Sequence, residues 1–163
     1  FRRSSKSKGF TLVETIIAIT VIGMVVASAT QLTQSSLRIS RSGMNQFIAY
    51  HLAEEGVEVV RHLRDSNWLQ NRTWRTGLGD GQYMIADSND LLSGARFSLQ
   101  PVSDPSGAEI TLSESEKFTR VLKLTSTPEG AMRITAQVGY EEYGKTREVE
   151  LNAELTDWKK GPL

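Results

Sequence analysis

The chain of 163 residues contains no cysteine. That excludes a disulfide framework and thiolate metal sites. It does not exclude export, because a domain with an adequate core needs no covalent staple. Proline is scarce, and none occurs before Pro101, so nothing in the first hundred residues forces a helix to break. Histidine occurs twice, at His51 and His62. No phosphate-binding loop and no nucleophile elbow is present, and these absences leave no enzymatic constellation. The formal charges cancel, with 19 basic and 19 acidic residues, so no global basic field points to nucleic acid.

The most informative absence is local. From Thr15 to Leu37 no residue is charged. About 20 apolar residues suffice to cross a bilayer as a helix, and this run meets that length although Thr and Ser dilute its end. Before it stand Arg2, Arg3, Lys6 and Lys8, with no acid among the first eight residues. From Phe10 onward, 15 basic side chains face 19 acidic ones. A basic flank is retained in the cytoplasm, so the expected topology is a single pass with the N-terminus inside and everything after about Arg38 outside. The chain begins with Phe1 and not methionine, so the natural start is expected upstream.

One residue does not fit a plain anchor. Glu14 lies at the start of the apolar run, where a carboxylate costs on the order of 2–3 kcal/mol at mid-bilayer and less near the edge. Such groups usually have a partner. A cut just before Phe10 would create an α-amine one turn from Glu14, and in a bundle of such helices the carboxylate of one chain could pair with the amine of its neighbour. Two other readings stand beside this one. Ala27-Ser28-Ala29 imitates the small-x-small site of a cleavable secretory signal, and an unprocessed signal anchor would carry a binding domain that never polymerises.

The run Lys8-Gly9-Phe10-Thr11-Leu12-Val13-Glu14, followed by an apolar helix, resembles the class III signal of type IV pilins and pseudopilins. The resemblance implies that a prepilin peptidase cuts between Gly9 and Phe10, that Phe10 is then N-methylated, and that Glu14 serves methylation or subunit registration. It also implies no catalysis by the protein itself. The implied partners are other pilin or pseudopilin subunits, an inner-membrane assembly platform, and membrane lipid before assembly, with no evident nucleic acid. The implied location is the bacterial inner (cytoplasmic) membrane, then a cell-surface or periplasmic filament. Many major pilins carry a proline inside this helix; its absence is common among minor pilins and pseudopilins and argues against a major structural subunit. A pseudopilin of a type II secretion or DNA-uptake system is the alternative. Gly23 and Ala27 form a small-xxx-small pair, read here as ordinary tolerance of glycine in membrane helices.

The expected organisation follows. Residues 1–9 are the leader, 10–37 the transmembrane or filament-core helix, 38–66 its amphipathic continuation, and 67–163 a C-terminal antiparallel β-sheet domain. The fold class is α+β, with the helix running from Phe10 to about Asp65 and Ser42-Gly43 as a candidate kink. Met44, Phe47, Ile48, Leu52, Val59, Val60 and Leu63 follow a helical period and define the expected apolar face, with Gly56 allowing close approach. His51, Glu55, Glu58 and His62 share the other face. They are read as a solvated surface with pairs Glu58–Arg61 and Arg61–Asp65, not as a metal site.

Beyond Asp65 the glycine-rich stretch 77–81 reads as loop, and Trp68 and Trp74 as packing residues. Strands are expected at Tyr83–Ala86, Ala95–Val102, Thr119–Thr127, Met132–Glu142 and Arg147–Trp158. Pro128-Glu129-Gly130 and Tyr143-Gly144-Lys145 join the last three as hairpin turns. No cofactor is expected. Asp80, Asp87, Asn89, Asp90 and Asp104 offer loop oxygens for calcium, but their spacing matches no calcium loop, and Asp and Asn are ordinary turn residues.

Overall fold

A computed structural model describes residues 9–87, 97–102, 108–113 and 116–158. It contains one helix, α1 (Leu12–Leu69), and six strands: β1 (Gly81–Asp87), β2 (Phe97–Pro101), β3 (Glu109–Ser113), β4 (Glu116–Ser126), β5 (Met132–Glu142) and β6 (Lys145–Leu155). The chain forms two compact units that divide after Gly43. The fold class is α+β, as the sequence leads one to expect.

In the first unit α1 starts immediately after Thr11, whose Oγ1 accepts a hydrogen bond from the Glu14 backbone N–H at 3.3 Å. Thr-x-x-Glu is a capping-box sequence, and the bond satisfies one of the orphan donors of the first turn. The helical assignment continues without interruption through Ser42 and Gly43.

In the second unit, the part of α1 from Met44 lies against an antiparallel sheet. The strand order is β2-β1-β4-β5-β6, and β3 also pairs with β4. β1 takes the Leu122–Leu124 half of one β4 edge and β3 takes the Glu116–Thr119 half. β4, β5 and β6 form the expected meander. β5 has the expected bounds, Met132–Glu142. The β5–β6 link is a two-residue turn in which Tyr143 (φ 50°) and Gly144 (φ 71°) are both left-handed, the type I′ geometry that matches strand twist. At the β4–β5 turn the Thr127 N–H donates to the Ala131 carbonyl at 2.9 Å, and Gly130 has φ 84°.

The core lies between α1 and the inward face of β4 and β5. Phe118, Leu122, Leu124, Met132, Ile134 and Val138 are its largest buried members there. β5 alternates between core and outer face along its whole length, as a sheet covered on one side requires.

The helix face agrees with the expected one at Val59 and Val60, which are buried, and at Ile48, Leu52 and Leu63, which pack against the core, but not at its N-terminal end. Met44 and Phe47 are exposed. The buried stripe runs through Ala49, Ala53, Gly56, Val60 and Asn67, flanked by Val57 and Val59. Small residues at alternating spacings of four and three let the helix lie close to the sheet. A Cβ added at Gly56 would sit 2.6 Å from Cδ2 of Leu122.

The helix also runs one turn past Asp65. Asn67 is buried and its Nδ2 donates to the carbonyls of Trp74 (3.1 Å) and Thr76 (2.8 Å). Asn71 then adopts φ 53°. The Arg72 N–H reaches the Asn67 carbonyl at 2.8 Å and the Asn71 N–H reaches that of Trp68 at 3.0 Å. These two bonds are a Schellman closure, with asparagine in the left-handed position. Other departures are β3, where the sequence reading expects no strand, and β1, β4 and β6, which begin two or three residues earlier than expected. β6 ends at Leu155, and Trp158 instead stacks edge-on against Trp68, with ring centroids 5.2 Å apart.

Candidate functional site

Gly9, Phe10 and Thr11 lie before the helix, and all three are exposed. A Cβ at Gly9 would meet nothing within 4 Å. Glu14 occupies the third helical position, where a carboxylate faces the positive end of the helix dipole. Its backbone is used by the Thr11 cap, and its carboxylate is exposed with no hydrogen bond among the described residues. The capping role of Thr11 escaped the sequence reading, although Thr11-x-x-Glu14 was its signal.

The helix behind this segment is apolar on every side. Phe10, Leu12, Val13, Ile16, Ile17, Ile19, Ile22 and Met24 are each more than half exposed. An 18-residue window of α1 reaches a mean hydropathy of 2.2 with none of it buried, and the helix is long and apolar enough to cross a membrane.

Five of the hydroxyls that dilute the run are satisfied within it. Thr15 Oγ1 donates to the Leu12 carbonyl at 2.8 Å, Thr20 to Ile16 at 2.8 Å, Ser28 to Met24 at 2.8 Å, Thr30 to Val26 at 2.9 Å and Thr33 to Ala29 at 3.0 Å. A hydroxyl bonded to its own helix does not need water, so these residues do not interrupt the apolar surface. Ala27, Ser28 and Ala29 are part of the same exposed helix. A Cβ at Gly23 would meet nothing within 4 Å.

The second unit separates the residues that share the polar face of α1. His51 Nδ1 lies 3.0 Å from Glu54, and Glu58 takes Arg61 at 3.3 Å, as expected. The expected Arg61–Asp65 pair is replaced by Arg64–Asp65 at 2.9 Å. Glu55 reaches across to Arg120 of β4 at 2.6 Å. Arg120 is buried and also donates to the Leu52 carbonyl at 3.1 Å, which lets a guanidinium sit beside the core. Its partner is 65 residues away in sequence, so no local pattern announced it. Among the described residues no three His, Asp or Glu side chains gather as a metal site.

Of the candidate calcium oxygens, Asp80 accepts hydrogen bonds from the N–H and Oγ of Ser126, both at 2.7 Å. Asn89, Asp90 and Asp104 lie outside the described residues, as does the Asp87 side chain. Trp74 is buried in the core and Trp68 is half-buried against it. Arg75 ties the loop after α1 to the β4–β5 turn, donating to the carbonyls of Gly130 (2.8 Å) and Ala131 (3.0 Å).

At the other end of β5 the Glu142 carboxylate is buried. One oxygen lies 3.5 Å from Arg147 Nε and the other has no hydrogen-bond partner among the described residues. Burial, helped by the Glu142 charge, raises the Tyr140 phenol above its ordinary pKa, and Arg147 opposes the shift.

Against known proteins, residues 4–30 match a family model described as the prokaryotic N-terminal methylation motif. No curated protein and no solved structure matches the chain. The matched span holds Lys6 and Lys8 of the basic flank, Gly9, Phe10, the Thr11 cap, Glu14 and the apolar run as far as Thr30. The chain thus carries, over residues 4–30, the class III signal segment of type IV pilins and pseudopilins.

Proposed function

We propose that the protein is the precursor of a minor type IV pilin or pilin-like subunit. A prepilin peptidase cleaves it between Gly9 and Phe10, the new Phe10 amine is methylated, and the subunit joins a filament through its apolar helix. The observation that carries this reading is the methylation motif at residues 4–30, placed on a segment whose cut site precedes the first helical turn. A peptidase needs extended backbone, and Gly9 has no Cβ to obstruct a narrow cleft. Residues 10–37 would lie in lipid before assembly. Afterwards neighbouring apolar helices would replace lipid, with an assembly platform in the inner membrane transferring the subunit.

Glu14 has two uses in this scheme. It favours the helix start through the dipole, and its unengaged carboxylate can meet the Phe10 amine of a neighbouring subunit. The sheet unit would remain outside the membrane and make the specific contacts. A pseudopilin of a secretion or DNA-uptake system would use the same segment in the same way.

The test is the intact mass of membrane-extracted protein, with and without co-expressed prepilin peptidase. Loss of everything through Gly9 with one added methyl on Phe10 is expected. An uncut chain beside an active peptidase leaves a signal-anchored domain and overturns the proposal. A cut after Ala29 makes it an ordinary secreted protein.

A further inference from the structure

The sheet ends at β6, and among the described residues no strand lies along its outer edge. Eleven residues of edge therefore present alternate N–H and C=O groups outward, which is a template for strand addition. The helix covers this edge poorly. The inward residues of β5 are buried, but Val149, Leu151 and Ala153 of β6 are only half-buried. Between Leu151 and Ala153 on one side and the His51–Arg61 stretch of α1 on the other runs an open groove of about 540 Å³.

A strand laid on β6 would point its side chains alternately toward the groove and toward the outer face of the sheet. Both destinations are acidic. In the groove three carboxylates, Glu54, Glu55 and Glu58, outnumber the one arginine of its lining, Arg61, which pairs with Glu58 at 3.3 Å, while Glu54 pairs with His51 at 3.0 Å. Glu55 is already bound by Arg120. On the outer face Glu148 and Glu150 stand opposite Gly139 and Gln137, with no cation across from them, while Glu154 faces Arg133. The same pattern argues against a second copy of β6 on this edge, because glutamates would be set opposite glutamates. An extended segment with basic residues on both faces meets no such conflict, and apolar residues between them would cover Leu151 and Ala153.

We propose that the outer edge of β6, from Arg147 to Leu155, is a docking edge for an extended basic segment of a partner protein, added as a further strand. This surface is independent of how the N-terminus is processed.

The experiment uses the full chain in zwitterionic detergent and two probe peptides long enough to span β6, one repeating Lys-Lys-Val-Val and the other Glu-Glu-Val-Val, so that both faces of the added strand carry charged and apolar residues. Hydrogen–deuterium exchange of β6 is followed with each. The lysine probe is expected to slow exchange across Arg147–Leu155, and the glutamate probe to leave it unchanged. The triple variant Glu54→Lys, Glu148→Lys, Glu150→Lys changes only exposed side chains and is expected to weaken the lysine probe at least about tenfold. Unchanged β6 exchange at millimolar lysine probe overturns the proposal. So does equal slowing by the glutamate probe or in the triple variant.

Discussion

Replacing Gly56 by alanine sets two effects of opposite sign against each other. In an unconstrained helix interior, Gly→Ala stabilises by about 1 kcal/mol, because glycine loses more backbone entropy on folding. At Gly56 the new Cβ falls 2.6 Å from Leu122 Cδ2, against a carbon–carbon optimum of about 3.5–4.0 Å. Leu122 is completely buried, so the overlap is relieved only by an off-rotamer side chain or by moving the helix off the sheet. Such overpacking costs about 1–3 kcal/mol. The net expectation is a loss of about 1 kcal/mol, a fall in Tm of roughly 3–6 °C for a unit of this size.

Denaturant melts of the detergent-solubilised chain, read by tryptophan emission, measure it, since Trp74 is buried in the same core. The double mutant carries the sharper result. Leu122→Ala alone costs about 2–5 kcal/mol. In the Gly56→Ala background it costs about 2 kcal/mol less, because the methyl that clashed is gone and with it the overpacking cost. A stabilised Gly56→Ala protein with no coupling to Leu122 would refute the close helix–sheet approach.

Other outcomes follow from the two ion pairs between distant segments. Arg120 is buried while Glu55 is half exposed, so the pair is asymmetric. Glu55→Ala strands a buried guanidinium and is expected to cost about 3 kcal/mol, whereas Arg120→Met leaves a carboxylate that water can reach and costs less; equal losses in urea melts would contradict this. Glu109 and Lys117 meet at 2.9 Å and clip β3 to β4. The hydrogen bond and charge of Lys117 hold the Glu109 carboxyl below the ordinary glutamate value, and Glu109 raises Lys117 above the ordinary lysine value. The clip therefore contributes fully between about pH 4.5 and 10.5. It is lost as pH falls through the lowered Glu109 value or rises through the raised Lys117 value. A carbon-detected NMR titration should return Glu109 to the ordinary carboxylate range in Lys117→Ala.

The parts legible in the sequence are those whose signal is local. The alternation of Met132–Glu142 and its two glycine turns specify a meander, and an uncharged run behind a basic flank specifies an apolar helix. The expected helix face holds from Ile48 onward and fails only at Met44 and Phe47, where size is a poor guide to burial. Phe47 and Met44 are large and exposed, while Ala49 and Ala53 are small and buried, because close approach to the sheet selects small residues. β3 was missed because its five residues are short and flanked by Ser, Pro and Gly, which read as loop. Arg120 and Asn67 were invisible for a different reason. Each is a buried polar side chain whose acceptors come from chain segments that only the folded state brings near. In the N-terminal segment, Gly9, Phe10 and Glu14 were legible as a motif, and the motif match covers them.

The loop after α1 is fastened to the far turn of the sheet by Arg75 and Asp80, across 46 to 56 residues of intervening chain. Closing a loop of that size carries an entropic cost that grows with the logarithm of its length, and contacts of high sequence separation slow folding. The β4–β5 hairpin needs only local closure, so it is expected to pair before these long-range bonds form. The end of the helix, the start of β1 and the β4–β5 turn should therefore mature together and late, so a folding chain would hold its meander before its first strand is in place.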